Sequence, residues 1–254
     1  MSATVLVSRD GAILTVTINR PERRNAIDRA TSESIAAAMD AFDADKTLSV
    51  AILTGAGDHF CAGMDLKAFL DGERIELAGR GLAGIIETPP RKPVIAAIEG
   101  YALAGGFEIA LACDLIVASE SAQFGLPEAR RGLIAGSGGL VRMPERMPRQ
   151  IAMECALTGR MIPVREAERW GLVNRCTPAG GALDAARALA GEIAANAPLA
   201  LAATKQVVAN SHRWSEAELW PRQNAILETV ITSEDAREGA AAFAEKRTPN
   251  WRGR

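Results

Sequence analysis

Residues 92–119 read KPVIAAIEGYALAGGFEIALACDLIVAS. Within them Val94–Ile98 is a continuous apolar run that follows Pro93 and stops before Gly100. Leu115–Ala118 is a second such run, opened by Asp114. A strand apolar on both faces belongs in a parallel sheet covered on both sides, because a half-solvated strand would alternate. Between the runs, Gly106–Cys113 has helix composition. Strand, helix and strand in that order predict an α/β fold with largely parallel pairing.

The same reading extends outward. Ile13–Asn19 is rich in β-branched residues and alternates, which predicts a strand. Arg20–Asn25 (RPERRN) is a polar turn opened by Pro21. Asp28 or Thr31 is placed to cap a helix in which Ile35, Met39 and Phe42 share one face. Val50–Thr54 is a third buried strand, ending at Gly55. Arg74–Glu87 is expected to be helix-like, and Gly139–Met147 a helix capped by Ser137. From Ala182 onward the pattern is helical: Leu183–Asn196, Leu199–Asn210, Glu216–Ile231 and Glu234–Lys246. A soft boundary at Pro198 divides the chain into a core of residues 1–197 and a helical region of residues 198–254.

Of the 254 residues, 48% are hydrophobic and 24% charged, and the formal net charge is -2. Nothing in that balance draws in nucleic acid or acidic lipid. Arg130, Arg131, Arg142, Arg146 and Arg149 form a locally basic stretch. A solvated face or a subunit contact is preferred there to RNA binding, and cofactor phosphates remain a third reading. The N-terminal residues show no positive region followed by an apolar one, and no apolar run reaches membrane-spanning length. A cytoplasmic protein with no membrane partner is expected. Cys61, Cys113, Cys155 and Cys176 are widely spaced, with no CxxC and no His at ligand spacing, so reduced, mostly buried thiols and no metal are expected.

Three motifs point elsewhere and are weighed first. Gly79–Gly84 matches GxGxxG, but a dinucleotide fingerprint follows a buried strand and opens a helix. The residues before it are polar, so a surface turn is expected. Ala135–Gly139 (AGSGG) resembles a nucleophile elbow. A serine nucleophile needs a histidine base, and neither His59 nor His212 is placed by sequence to serve Ser137. His59 and Cys61 lie two apart, with nothing to orient the imidazole.

Two strand exits remain. Gly55–Leu66 (GAGDHFCAGMDL) brings small side chains together and offers Asp65 as a helix cap. Gly100–Ala110 (GYALAGGFEIA) opens a helix at Ala104-Gly105-Gly106, whose first amides are unpaired and carry partial positive charge. Ligands bind at the C-terminal ends of parallel strands. Two such exits are placed to aim one amide each at one oxygen. Glu108 lies three residues past Gly105, and Glu128 follows Phe124-Gly125-Leu126-Pro127, both in apolar company. The pattern alone leaves bland alternatives open: a buried structural acid for Glu108, and a dipole-favoured helix-start acid for Glu128.

The chain resembles the enoyl-CoA hydratase/crotonase superfamily along nearly its whole length. The landmarks are RPERRNAI (20–27), HFCAGMDLK (59–67), the 92–119 stretch, FGLPEARRGLIAGSGG (124–139), LTGR (157–160), WGLVNR (170–175) and FAEKRTPNWRGR (243–254). The resemblance implies a spiral of ββα turns and a C-terminal all-helical trimerisation region, with assembly as a trimer or a hexamer. It implies that the backbone amides of Met64 and Gly105 form an oxyanion hole for a thioester carbonyl. CoA, part of the substrate and not a separate cofactor, is implied to lie near Ala62, Met64, Asp65, Lys67, Gly105 and Gly136. Phe243 and Lys246 are implied to close over it.

Glutamate at both 108 and 128 is the pattern of the hydratases. The implied activity is therefore reversible hydration of a 2-enoyl-CoA, with Glu108 as base to the water and Glu128 as acid to the α-carbon. The alternatives are an enoyl-CoA isomerase, a carnitinyl-CoA dehydratase and, from another class, a non-catalytic or RNA-binding scaffold. Ala104, where many members have glycine, Leu126 and Ala135 depart from the pattern. GFEIALA, LPEA and the C-terminal stretch are similar to carnitinyl-CoA dehydratase members.

Overall fold

Strands with no polar face need cover on both sides, and the chain supplies it from helices that connect the strands on one face and from a helix that follows them on the other. The structure, a computed structural model, describes residues 3–254. In chain order the elements are β1 (Val5–Asp10), β2 (Ile13–Ile18), α1 (Arg29–Ala44), β3 (Val50–Gly55), α2 (Leu66–Leu70), β4 (Val94–Ile98), β5 (Tyr101–Leu103), α3 (Gly105–Ala112), β6 (Leu115–Ser119) and β7 (Gln123–Gly125). They continue as α4 (Gly139–Arg146), α5 (Arg149–Thr158), β8 (Ile162–Pro163), α6 (Val164–Arg169), β9 (Arg175–Thr177), α7 (Ala182–Ala194), α8 (Pro198–Asn210), α9 (Glu216–Ile231) and α10 (Glu234–Glu245).

The larger sheet runs β1-β2-β3-β4-β6-β9, antiparallel only between β1 and β2. Leu53 stands beside Ala96, and Ala96 beside Ile116. One face, with Leu14, Val16, Leu53, Ala96 and Ile116, joins the main core with α1 and α3. The other face, with Val50, Ile52, Ile95, Ala97 and Val117, packs on Ala186 and Ala190 of α7. Alternate residues of each strand thus serve two cores, which is why the sequence shows no alternation.

The smaller sheet, β5-β7-β8, makes the architecture a spiral. After β4 the chain turns at Gly100, runs through β5 beside β7, and enters α3; Tyr101 pairs with Gln123. That is one ββα turn. The preceding turn repeats it in short form, with Cys61 bridging Ala102 before α2. Gly100 has φ +50°, and a Cβ on it would lie 2.2 Å from the Asp58 carbonyl oxygen, so the corner requires glycine.

The C-terminal helices differ. α8 and α9 have no buried residues, while α10 buries Asp235 and Ala242. Lys205 of α8 pairs with Asp114 at 2.6 Å, at the start of β6. Asp235 accepts from the amides of Arg252 and Gly253, and the Trp251 indole donates to the Ala195 carbonyl, so the tail is tied back to α7 and α10. Among the described residues no helix is long and apolar enough to cross a membrane.

Two local expectations fail. The stretch expected to be helix-like, Arg74–Glu87, is a loop with a Leu77–Gly81 bridge and one three-residue 3-10 turn, Leu82–Gly84. Its helix-rich composition is overruled by Gly79, Gly81 and Gly84 at positive φ. The loop is also not a mere surface turn, since Gly81–Ile86 is buried. The cap of α4 is Gly138, not Ser137, whose polar groups are engaged elsewhere.

Candidate active site

The RPERRN turn fixes the first strand exit. Asn25 is fully buried and donates to the carbonyls of Ala56 and His59. The Ile27 amide donates to the Gly63 carbonyl, and the Asp65 amide donates to Ile27, both at 2.8 Å. In such a parallel bridge the residue between those two groups turns its own amide to the opposite side. That residue is Met64.

Asp65 accepts from the amides of Lys67 and Ala68 and pairs with Arg20 at 3.0 Å; Arg20 also pairs with Asp28. Burial raises the Asp65 proton affinity, but Arg20 and the α2 amides outweigh it and hold the carboxyl below its ordinary range. In this chain Asp65 is a helix cap and an ion-pair partner.

The second exit lies against the first. A Cβ built on Gly63 would stand 3.0 Å from the Gly105 nitrogen, and one on Gly105 would stand 3.5 Å from the Met64 nitrogen. The Gly105 amide opens α3 and has no helical partner. Among the described residues neither Met64 nor Gly105 donates its amide to any acceptor. Two adjacent donors without acceptors suit one oxygen that carries negative charge. Ala104, the cap of α3, sits at φ +51°, ψ -129°, a conformation natural to glycine and strained for alanine.

Glu108 projects from the first turn of α3 and is 3% exposed. Its Oε1 accepts from the amides of Ser137 (2.8 Å) and Gly139 (2.9 Å), at the turn that opens α4. A Cβ on Gly139 would stand 2.9 Å from Glu108 Cγ, so only glycine lets the turn come this close. Burial pushes the Glu108 carboxyl up; the Gly139 and Ser137 amides oppose this, and the charges of Glu128 and Glu76 add to it. Glu128 begins a short 3-10 turn, Glu128–Arg131, behind Pro127. Its Oε2 is buried and takes no hydrogen bond from the described residues. Burial pushes this carboxyl up as well, and its own amide and Arg131 only partly offset that. Beside it lies an apolar cavity of about 370 Å³, walled by Leu126, Leu140, Met143 and Met153 with Arg149.

The decoys resolve. Ser137 serves Glu108 through its amide and Glu76 through its hydroxyl, while His212 pairs with Glu145. His59 stacks on Tyr101 at 4.5 Å, and its Nδ1 accepts the Tyr101 amide. Cys61 is fully buried, which pushes its thiol up to about 12. The arginines do not form one exposed patch: Arg142 and Arg146 turn inward to the carbonyls of Ile86 and Cys113. Among the described residues no cluster of His, Cys, Asp or Glu has metal-binding form.

The structure therefore sets the Met64 and Gly105 amides side by side and, from the first turn of α3, brings Glu108 within electrostatic reach of Glu128, with Ala62 and Lys67 flanking Met64 on the first exit. Gly136 lies exposed in the turn before α4. Phe243 is 89% exposed near the end of α10, where Lys246 is the C-cap, and no hydrogen bond among the described residues joins either to the cluster. The roles of Ser137 and Gly139 toward Glu108, and the presence of Glu76, were not readable in the sequence. The only trace is a glycine pair and a serine some thirty positions downstream of the acid they hold.

With the fold and this cluster in view, the comparisons agree. Residues 8–254 match the family described as enoyl-CoA hydratase/isomerase. A carnitinyl-CoA dehydratase of Proteus mirabilis is 45% identical over the full length of both chains. The crystal structure of an enoyl-CoA hydratase from Mycobacterium tuberculosis H37Rv superposes with a TM-score of 0.98 at 56% identity, covering both chains entirely. A carnitinyl-CoA hydratase from Mycobacterium avium superposes at 0.81 with 42% identity, again over both full lengths. The chain belongs to the enoyl-CoA hydratase/isomerase, or crotonase, family. It is an enzyme of CoA-thioester chemistry.

Proposed function

We propose that this enzyme adds water reversibly across the C2=C3 bond of a 2-enoyl-CoA, giving a 3-hydroxyacyl-CoA. The observation that carries this is the pair of acids beside two free amides, with Glu108 clamped at one oxygen and Glu128 unbonded at the other. The amides of Met64 and Gly105 receive the thioester oxygen as it gains charge, which makes C3 electrophilic. Each such donor lowers the barrier by roughly 3 kcal/mol. Glu108, whose anion is favoured by two amides, takes a proton from water as its oxygen bonds to C3. Glu128, whose hold on its proton burial strengthens, gives a proton to C2. The reverse steps remove water.

Ala62, Met64, Asp65, Lys67 and Gly136 line the way for the CoA handle. Phe243 and Lys246, exposed at the end of α10, close over CoA when copies associate as a trimer or a hexamer through residues 198–254. The exposed side chains of Val208, Trp220, Leu227 and Ile231 suit that association. The unit of residues 1–197 carries the chemistry, and the enzyme works in the cytoplasm.

A second reading keeps the chemistry and changes the acyl group to the quaternary-ammonium type of carnitinyl-CoA. The relatives at 45% and 42% identity favour it, whereas the apolar cavity beside Glu128 favours a hydrocarbon chain. Turnover across a panel of 2-enoyl-CoA chain lengths, with crotonobetainyl-CoA included, decides between them. Reaction in oxygen-18 water tests the class itself. Label in the product is expected, and an unlabelled, double-bond-shifted product would replace hydration by isomerisation.

A further inference from the structure

A third carboxylate stands at the site. Glu76 lies in the loop between α2 and β4, and its Oε1 accepts the Ser137 hydroxyl at 3.3 Å. The loop is not free to drift there. Ile75 is buried, Leu77 bridges Gly81 on the other side, and the Glu73 carboxylate accepts the Arg29 amide. The same loop carries Leu82, whose Cδ2 lies 2.4 Å from where a Cβ on Gly105 would fall, so the loop touches both the Gly105 amide and the Ser137 turn.

Ser137 is the shared element. Its amide holds Glu108, and its hydroxyl is held by Glu76. Arg142 of α4 lies over Gly138, and its guanidinium donates to the Ile86 carbonyl of the loop that carries Glu76. The turn is therefore held at the Ser137 hydroxyl by Glu76, with the Arg142 guanidinium packed on Gly138. Among the described residues Glu76 has no cationic partner within ion-pair distance.

We propose that Glu76 is a positioning residue for Glu108, acting through the Ser137 hydroxyl to fix the turn whose amides hold the Glu108 carboxylate. This rests on the reading of Glu108 as the base. The charged groups facing Glu108 are Glu76 from the loop, Glu128 from its 3-10 turn and Arg142 from α4. Glu76 thus does two separable things: it anchors the turn, and it sets a negative charge near Glu108. Glu76→Gln keeps the acceptor oxygen and removes the charge. Glu76→Ala and Ser137→Ala remove the anchor. Glu76 is exposed, so its variants should fold.

The test is kcat and KM against pH for the four proteins, with a direct titration of Glu108 by carboxyl-13C NMR of glutamate-labelled enzyme, assigned with Glu108→Gln. Glu76→Ala and Ser137→Ala should lower kcat about tenfold with KM little changed, as expected when a group is misplaced. Glu76→Gln should recover most of kcat. Its acid limb and its Glu108 titration should both move roughly half a unit to lower pH, because a like charge has gone. High salt should shrink that difference. The NMR titration stands even if the enzyme does not hydrate enoyl-CoA, so the two failures are distinguishable. An unchanged kcat in Glu76→Ala, a Glu108 titration indifferent to Glu76→Gln, or a rise in KM alone would overturn the proposal.

Discussion

The helix that carries Glu108 and the short turn that carries Glu128 treat a carboxylate in opposite ways. On α3 the acid has two backbone donors on one oxygen, supplied by a turn some thirty residues away. At 128 the acid is half-buried against apolar walls, with one oxygen buried and left unpaired. Both carboxyls are pushed above the ordinary range, yet for Glu108 the amides work against burial and favour the anion. Two like residues are thereby prepared for unlike work, one to accept a proton and one to give it. Environment, not residue type, divides the roles.

The largest effects should come from erasing that difference. Glu108→Gln and Glu128→Gln should each lower kcat by about 10²- to 10⁴-fold, the usual worth of a positioned acid or base. The double variant should lose little more than the worse single, since the two act as a unit. Spectrophotometric turnover of a 2-enoyl-CoA checks both. Loss in one variant alone would leave a one-acid reaction, as in isomerisation. Rate against pH should be bell-shaped, rising as Glu108 ionises and falling as Glu128 does, with both limbs above the usual carboxylate range. The apparent pKa values belong to the pair.

Gly139→Ala sharpens the comparison from one side. Its Cβ would meet Glu108 Cγ at 2.9 Å and Leu126 Cδ1 at 3.0 Å, so it presses on Glu108 directly and reaches Glu128 only through the cavity wall. We expect kcat to fall at least about tenfold, with the acid limb displaced more than the alkaline limb. Rapid-mix pH profiles would show equal movement of both limbs if the acids were not separately held.

A smaller effect concerns stability. A carboxyl whose folded pKa is raised adds stability below its unfolded pKa, and that contribution is lost as pH rises through the folded value. At neutral pH, where the unfolded chain's carboxyl is ionised, the desolvation of Glu128 is therefore a cost to the fold. Glu128→Gln should raise Tm by about 2–4 °C near pH 7.5, a gain of about 1 kcal/mol for a chain of this size. The gap should close in acid. Calorimetry at two pH values checks the sign.

The smallest effect is at the cap of α3. Relief of strain at Ala104 is worth about 1–3 kcal/mol, against roughly 0.4–1 kcal/mol of added unfolded-state entropy for glycine. Ala104→Gly should therefore stabilise the protein by about 1 kcal/mol, measurable by urea unfolding.

Legibility followed the range of the interactions. Val50–Thr54, Val94–Ile98 and Leu115–Ala118 announced themselves because burial on both faces leaves an unbroken apolar run. β5, β7 and β8 are two or three residues long and exist through partners elsewhere in the chain, so no local pattern marks them. β1 was not foreseen because most of its residues are exposed at the sheet edge. Arg74–Glu87 misled because Glu, Leu, Ala and Arg favour helix while the glycines' backbone angles do not. In the site, Glu108 and Glu128 stood out by their apolar company. The Ser137 and Gly139 amides and the Glu76 acceptor did not, because backbone donors and loop contacts leave no residue signature.

The most direct test of the central claim is a crystal structure with a bound non-reacting acyl-CoA such as acetoacetyl-CoA. The thioester oxygen should sit about 2.7–3.1 Å from both the Met64 and the Gly105 nitrogens, with the Glu108 and Glu128 carboxyls next to the C2 and C3 atoms. A thioester oxygen bound elsewhere, or either carboxyl turned away from those carbons, would contradict the account.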